Sequence, residues 1–373
     1  MKAAAREVAH LRRAIASADR EIQRAIVHRL ELSRRVGRTK ARYRLPLRNF
    51  RVEAEVVDRW TRGLAGIDPS RSEALARWLI EESLRVQESV PRSAGRSASA
   101  QRATEVTIIG GSGAMGRWLA GFLEAEGHRV SVVDPRPGPS GRPRLPDVEA
   151  AASRSKVVIF ATPMGATLPL LRRAIEEGSD PLIFDILSVK APIARDLARA
   201  ARSGLRVTSV HPLFGPSART LSGRNLLIVR CGNPDADAEA RRLFAGSALS
   251  IAEIPLAAHD RWMAASLGLS HAVNLLFLGA LVADPLSARD LARVASTTFH
   301  RQSSLARAVA REGADLYLDI QAENPHSALL YRELRASLDR LERIVRRRDR
   351  SQFHSLLAEG RKKLDVGAPP MRA

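Results

Sequence analysis

Val106-Thr107-Ile108-Ile109-Gly110-Gly111-Ser112-Gly113-Ala114-Met115-Gly116 is the stretch that decides the fold of this chain. A β-branched run ends in glycines spaced G-x-G-x-x-G at 111, 113 and 116, and an apolar helical pattern follows in Trp118, Leu119, Phe122 and Leu123. That is a strand, a tight turn and a helix start. Glycines there let the backbone approach a pyrophosphate, and the N–H groups and dipole of the helix N-terminus stabilise its charge. A second run, Arg129-Val130-Ser131-Val132-Val133-Asp134, ends in an acid close to the distance expected for a ribose contact. The pattern predicts a dinucleotide site made by Gly111, Ser112, Gly113, Ala114, Met115, Gly116 and Asp134. A glycine turn in an unrelated α/β domain is the competing reading. A carboxylate at 134 accepts from the ribose 2′-hydroxyl and repels a 2′-phosphate, which favours NAD; Arg136, turned inward, would instead accommodate NADP.

Outward from this stretch, short β-branched runs at 106–109, 129–134, 156–161, 182–186, 206–210 and 225–230 alternate with helical patterns. The alternation predicts a parallel sheet with helices on both faces over 105–255. Residues 1–90 are helical by pattern. Residues 91–104, rich in Ser, Ala and Arg with Pro91 and Gly95, read as a flexible linker. Residues 256–364 are helical again, and 365–373 form a polar tail. The fold class expected is multidomain α and α/β: an all-helical front domain, a Rossmann-type parallel-sheet domain and an all-helical C-terminal domain.

Composition sets the outer limits. The 373 residues leave room for two or three domains, and 45% hydrophobic with 27% charged residues is ordinary for a soluble protein. The single cysteine, Cys231, excludes an intramolecular disulfide framework and suits a reducing cytoplasm. The N-terminus meets charge before any apolar core, unlike a signal peptide. The longest apolar run, Ala272 to Ala283, contains Asn274, is too short for a bilayer and reads as a buried helix, so no membrane partner is expected. A net charge of +20 raises nucleic acid as a partner, and an Arg-rich regulator on an old enzyme scaffold is the reading from a different class. The cations are spread along the whole chain, however, and aromatics at 4% leave few stacking platforms, so no nucleic acid is expected. The only lysines are Lys2, Lys40, Lys156, Lys190, Lys362 and Lys363. In a chain that defaults to arginine, an internal lysine supplies a compact, rotatable charge, which singles out Lys40 and Lys190.

The front helices carry an apolar stripe of Leu11, Ile15, Ala18, Ile22, Ala25 and Ile26. On a helix continuing to Ala41, Arg29 and Lys40 share a face about 16 Å apart, while Arg12 sits roughly 100° from Arg29. A solvated arginine face is the simpler reading of any one of these. Residues 8 to 88, including HLRRAIASADREIQRAIVHRLELSRRVGRTKARYRLPLRNFRVEAEVV and LIEESLRVQES, together resemble the all-helical chorismate mutase family. The resemblance implies an intertwined dimer in which Arg12 enters the partner's site. It implies that Arg12 and Arg29 grip the two substrate carboxylates, that Lys40 and Gln87 hydrogen-bond the ether oxygen, and that Glu53 contacts the ring hydroxyl; Ser83 also falls on a motif position. Chorismate to prephenate is pericyclic, so cations and an amide donor suffice, holding a folded dianion and stabilising charge on the breaking ether oxygen. Where many members carry Asp-x-x-Arg-Glu, this chain has Asn49, Val52 and Glu53, with Arg51 next door. An active mutase and a vestigial dimerisation module both fit that departure.

Ile183-Phe184-Asp185-Ile186-Leu187-Ser188-Val189-Lys190 reads as a strand running into a turn, and Val207-Thr208-Ser209-Val210 runs into His211-Pro212-Leu213-Phe214-Gly215-Pro216. Ligands of open parallel sheets bind beyond the carboxyl ends of the strands, where Ser188 and His211 are expected. A lone histidine is more often structural, but one between a strand end and two prolines is a better candidate base. DILSVK and HPLFGP, with ATP at 161–163, resemble the prephenate dehydrogenase family. The resemblance runs from about 105 to 350 through Ala258-His259-Asp260-Arg261, Leu269-Ser270-His271-Ala272 and Phe299-His300-Arg301.

Joined to the mutase-like front, the whole chain is similar to the bifunctional chorismate mutase/prephenate dehydrogenase family of tyrosine biosynthesis. This implies chorismate and prephenate as successive substrates and NAD-dependent oxidative decarboxylation to 4-hydroxyphenylpyruvate. His211 would take the ring hydroxyl proton as hydride leaves C4 for the nicotinamide, and Ser188 would bond His211 or that hydroxyl. Arg301 would bind a carboxylate, and Thr162 and Pro163 would line the cofactor. His271 is either a substrate contact or a buried helix histidine, and Lys190 either anchors the Ser188 turn or is solvated. Decarboxylation restores aromaticity, so no metal is required. Leu329, Leu330, Leu334, Leu338, Leu341 and Ile344 recur at helical spacing and imply a homodimer core. The alternatives are a prephenate or arogenate dehydrogenase with a vestigial front domain, and a β-hydroxy-acid dehydrogenase, which would leave residues 1–90 unexplained.

Overall fold

The computed structural model describes residues 2–43, 45–64, 66–90, 103–137, 141–177, 180–218, 220–311 and 313–364. The tail expected at 365–373, and the expected linker apart from residues 103 and 104, lie outside the described residues. Three helices come first: α1 (Lys2–Tyr43), α2 (Phe50–Gly63) and α3 (Pro69–Glu88). The alternating region follows as β1 (Glu105–Ile109), α4 (Ala114–Ala125), β2 (Arg129–Val133), α5 (Val148–Arg154), β3 (Val157–Phe160), α6 (Met164–Glu176), β4 (Leu182–Asp185), α7 (Ala194–Arg202), β5 (Val207–Pro212), β6 (Asn225–Arg230), α8 (Pro234–Phe244) and β7 (Ser250–Pro255). The chain closes with α9 (Leu256–Met263), a π-helical turn (Ala264–Gly268), α10 (Leu269–Ala283), α11 (Ala288–Arg293), α12 (Thr297–Ala310), α13 (Ala314–Ala322), α14 (Ser327–Arg347) and α15 (Arg350–Leu364).

The strands form a sheet in the order β2-β1-β3-β4-β5-β6-β7, which turns back at β1. β1 pairs parallel with β2, from Glu105↔Arg129 to Ile109↔Val133. β3 with β4, and β4 with β5, are likewise parallel. Every residue of β3 and β4 is buried, as in strands covered on both faces.

Two strand readings change. β5 runs on to Pro212 instead of ending at 210, and the Leu213 N–H continues the pairing by donating to the Asn225 carbonyl at 3.0 Å. His211 therefore lies within the strand's last residues rather than just past it. β7 was not foreseen: it is an edge strand whose Ile251, Ala252 and Glu253 are all at least partly exposed, so its sequence lacks a clean alternation.

The reading of Ala272–Ala283 as a buried helix is also corrected. Leu256–Ala283 is one helical run, long and apolar enough by length and composition to cross a membrane. α10 buries only His271, Ala272 and Asn274, and leaves Val273, Leu275, Leu276 and Val282 exposed. A helix apolar on all sides presents more apolar surface than this one chain covers.

The chain divides into two compact units. The first takes Met1–Arg144, Pro212–Leu226 and Ala238–Ala252; the second takes Leu145–His211, Leu227–Asp237 and Glu253–Ala373. In the first, Leu47 from the turn after α1 and Ile80 and Leu84 of α3 share a buried cluster with Ala248, flanked by Val56, Val57 and Leu221. The Leu221 N–H donates to the Glu88 carboxylate at 3.0 Å. α1 and α3 approach so closely that a Cβ on Gly37 would stand 2.9 Å from the Gln87 Cα. Gly37→Ala is therefore expected to destabilise by about 1–3 kcal/mol, the usual range for overpacking. Urea unfolding reads this, and an unchanged midpoint would show that the helices yield freely there.

Candidate functional site

The glycine turn is built as its spacing predicts. Gly110 takes the left-handed conformation (φ +84°) that makes the turn, a residue the sequence reading passed over. A Cβ on Gly111 would collide with Val132, and one on Gly116 with the Gly110 carbonyl. Gly113 begins α4 without any side-chain cap. Asp134 is buried and tied to this turn: it accepts from the backbone N–H of Ser112 and of Arg136, each at 2.9 Å. Burial pushes its carboxyl pKa up, but the Arg136 and Ser112 N–H groups and the Arg136 cation outweigh this and hold it below the usual range. Close backbone, an uncapped helix start and an ionised acid suit a dinucleotide. At the end of β3, the hydroxyls of Thr162 and buried Thr167 lie 2.8 Å apart, and Pro163 opens α6.

A second constellation gathers at the ends of β4 and β5. Lys190, 1% exposed, donates from Nζ to Asp185 Oδ1 at 2.7 Å and to the Val210 carbonyl at 2.9 Å. It is a buried anchor rather than a solvated side chain. His211 is 2% exposed, and its Nδ1 lies 3.0 Å from Nε2 of the fully buried His259. His259 Nδ1 in turn lies 2.6 Å from Asp260 Oδ1. The Asp260 carboxylate also accepts from the backbone N–H of Lys190 at 2.8 Å and of Ala191 at 2.7 Å. Burial, the Lys190 ammonium and His259 push the His211 pKa well down, so the ring is neutral at pH 7.

The sequence reading missed His259 and Asp260 as site residues and gave Ser188 a bond to His211 or to the substrate hydroxyl. Ser188 is half-buried in the turn, and the His211 ring bonds His259 instead. Three residues beyond His211, Phe214 packs edge-on against Trp118 of α4, with ring centroids 5.0 Å apart. His271 packs edge-on against Tyr317 at 4.2 Å, and burial pushes its pKa down to about 4. Arg301 is exposed on α12 and forms no ion pair among the described residues.

The front helices hold a third group. Arg29 donates to the Leu79 carbonyl at 2.7 Å and to Ser83, whose hydroxyl donates to the same carbonyl at 2.8 Å. Burial and the Arg59 cation lower the Arg29 pKa. Lys40 Nζ donates to the Leu47 carbonyl at 2.5 Å. Gln87 is buried, and its Oε1 has no partner among the described residues. Glu53 is gripped by Arg48 through two bonds of 3.1 and 2.7 Å, so a ring hydroxyl would have to share it. Asn49 caps α2 by accepting from the Val52 N–H, a task Asn and Asp perform equally well. Arg12 is exposed on α1, about 26 Å of helix from Arg29. Arg48 and Arg59 were not foreseen.

The parallel sheet and its glycine turn define a dinucleotide-binding α/β domain, preceded by a helical segment. Comparison with known proteins narrows this. Residues 11–88 match chorismate mutase type II, 120–228 the prephenate dehydrogenase nucleotide-binding domain, and 255–359 the prephenate dehydrogenase dimerization domain. A 4-amino-4-deoxyprephenate dehydrogenase of Streptomyces pristinaespiralis is 32% identical over 68% of this chain and 88% of its own length. A T-protein of Haemophilus influenzae is 24% identical over 92% of this chain and 88% of its own. In fold, the A. aeolicus prephenate dehydrogenase solved with hydroxyphenyl propionate and NAD+ superposes with a TM-score of 0.57 at 18% identity, covering 72% of this chain and 98% of that one. The chain belongs to the prephenate dehydrogenase family and carries a type II chorismate mutase segment in front.

Lys190→Met would strand the buried Asp185 carboxylate without its cation, and we expect a loss of about 3–5 kcal/mol in urea unfolding. Wild-type stability would show that the Lys190–Asp185 contact carries no weight in the fold.

Proposed function

We propose that this chain rearranges chorismate to prephenate in its front helices and then converts prephenate to 4-hydroxyphenylpyruvate by oxidative decarboxylation. The observation that carries the reading is His211: a buried, neutral imidazole at the carboxyl end of β5, beside a lysine-anchored turn that presents Ser188. A neutral imidazole can take the C4 hydroxyl proton, and Ser188 is left for the substrate by the His211–His259 bond. NAD, when bound, supplies the hydride acceptor. The Gly111–Gly116 turn and Asp134 would hold it, with Thr162 and Pro163 alongside. Arg301 and His271 are proposed for the substrate's carboxylate and side chain.

In the mutase half, Arg29 held by Ser83, together with Lys40 and Gln87, would clamp the folded dianion, and the Gln87 side-chain N–H would donate to the ether oxygen. Arg12 would act in the site of a second copy. Leu11, Ile15 and Ile22 of α1 are exposed, as are Val273, Leu275 and Leu276 of α10, which lies in the segment matching a dimerization domain. A homodimer would cover both surfaces. We assign the enzyme to the cytoplasm, where the buried free thiol of Cys231 stays reduced.

Given chorismate and NAD, the purified chain should form 4-hydroxyphenylpyruvate, and without NAD the reaction should stop at prephenate. His211→Asn should lower dehydrogenase turnover by about 10²–10⁴-fold with NAD binding intact. Lys40→Ala should stop only the first step. Dehydrogenase turnover at the wild-type rate in His211→Asn would overturn the assignment.

A second reading concerns the group at C4. The S. pristinaespiralis relative, named for a 4-amino substrate, is more identical to this chain (32%) than the H. influenzae T-protein (24%). An amine at C4 can surrender its proton to the same imidazole. Comparing kcat/KM for prephenate and 4-amino-4-deoxyprephenate decides, and a preference of about tenfold or more for the amine, some 1.4 kcal/mol, would reassign the substrate.

A further inference from the structure

We infer that His259 and Asp260 fix which nitrogen of His211 is the base and receive the positive charge that catalysis delivers to it. This rests on the dehydrogenase reading above. The Asp260 carboxylate accepts the N–H groups of Lys190 and Ala191 and faces His259 Nδ1 at 2.6 Å. Those donors outweigh its burial and hold its pKa below the usual range, so it is ionised and only accepts. His259 Nδ1 therefore carries the proton, and His259 Nε2 presents a lone pair. His211 Nδ1, 3.0 Å away, must then carry its own proton and donate. The remaining nitrogen, His211 Nε2, has a lone pair and no hydrogen bond among the described residues. The base is Nε2, and its availability is decided two residues away along the chain of bonds.

The same geometry handles the charge. When the substrate O–H bond breaks, its proton would bind His211 Nε2 and the O–H electron pair would form the C4 carbonyl, with bound NAD as the acceptor of the C4 hydride. The imidazolium so formed faces the Lys190 ammonium, which opposes it. Transfer of the Nδ1 proton to His259 Nε2 moves the positive charge next to the Asp260 carboxylate. The charged and titratable groups facing the pair are Lys190 and Asp185 from the β4 end and Asp260 from α9. Asn324 fixes α9 by donating to the Asp260 carbonyl at 2.8 Å. His259 and Asp260 are positioning residues: neither needs to touch the substrate.

The tautomer can be read on the protein alone. In 15N-histidine NMR spectra of the wild type, His211, identified by its loss in His211→Asn, should be protonated at Nδ1 and bare at Nε2. In Asp260→Asn the amide can donate to His259, which reverses both tautomers and blocks His211 Nε2 with a proton. Its dehydrogenase kcat should fall by at least about 10²-fold with little change in KM. Mutase turnover and the melting temperature of the same chain report that it remains folded.

His259→Gln keeps an acceptor for His211 Nδ1–H but takes up no proton. The tautomer should persist, and kcat should fall about tenfold with KM little changed, because the His211 imidazolium has lost its outlet. A purely structural role would disturb the tautomer or KM as well. Nε2–H on wild-type His211, or wild-type kcat in both variants, would overturn the inference. No turnover of any C4-hydroxyl or C4-amino substrate, with the tautomers as stated, would instead overturn the dehydrogenase reading.

Discussion

The Asp260 carboxylate accepts from His259 Nδ1 and from two successive backbone N–H groups, and the dehydrogenase half is arranged around that one anion. Taking a carboxylate out of water costs several kcal/mol unless its lone pairs are used. Here the donors are the groups that most need fixing: the turn at 190–191, and the ring that abuts His211. The same turn drives the Lys190 ammonium between Asp185 and the Val210 carbonyl, so the ends of β4 and β5 are clamped by a second buried charge pair. A helix residue, a turn and two strand ends are thereby held in one geometry. Loosening any of them would leave a buried N–H, ammonium or carboxylate without a partner.

How legible this was depended on how local the physics is. The glycine turn announced itself because close approach and positive φ are properties of a few consecutive residues: Gly110 takes a positive φ, and Gly111 and Gly116 meet obstacles within the same strand–turn–helix unit or on the neighbouring strand. Lys190 stood out by residue type, a lysine in a chain that otherwise uses arginine, yet its partners at 185 and 210 could not be read from that. His259 and Asp260 lie 48 and 70 positions from the groups they bond, His211 and Lys190, so only the packing of α9 brings them in. Sequence motifs quoted the right tetrapeptide without saying that it faced His211. β7 escaped because an edge strand has no need of a repeating apolar face, and β5 ran two residues long because its partner β6 continued the ladder.

In the front segment the same distinction holds. Gly37 and Gln87 meet because two helices cross there, which the spacing of neither predicts. The Arg48–Glu53 pair was equally hidden, since the family pattern draws attention to the positions after the proline turn and not to the arginine that neutralises Glu53. Val52 removes a guanidinium from that pattern, and the Arg59 cation acts on Arg29, lowering its pKa.

With 42 residues, α1 extends roughly 63 Å, far longer than α2 or α3 can cover. Its second half is where α3 packs, through Gly37 against Gln87, and where Arg29 and Lys40 find their partners. Its first half exposes Val8, Leu11, Ile15 and Ile22 together with Arg12. A lone amphipathic helix gains little in water from propensity alone, because most helical stability comes from burying its apolar face. The exposed stripe therefore calls for a protein surface as long as itself, and a second α1 has both the length and the pattern. Such a pairing would bring Arg12 to an Arg29 that its own chain keeps about 26 Å away. The residue type, the exposed stripe and the excess helix length are then consequences of a single arrangement.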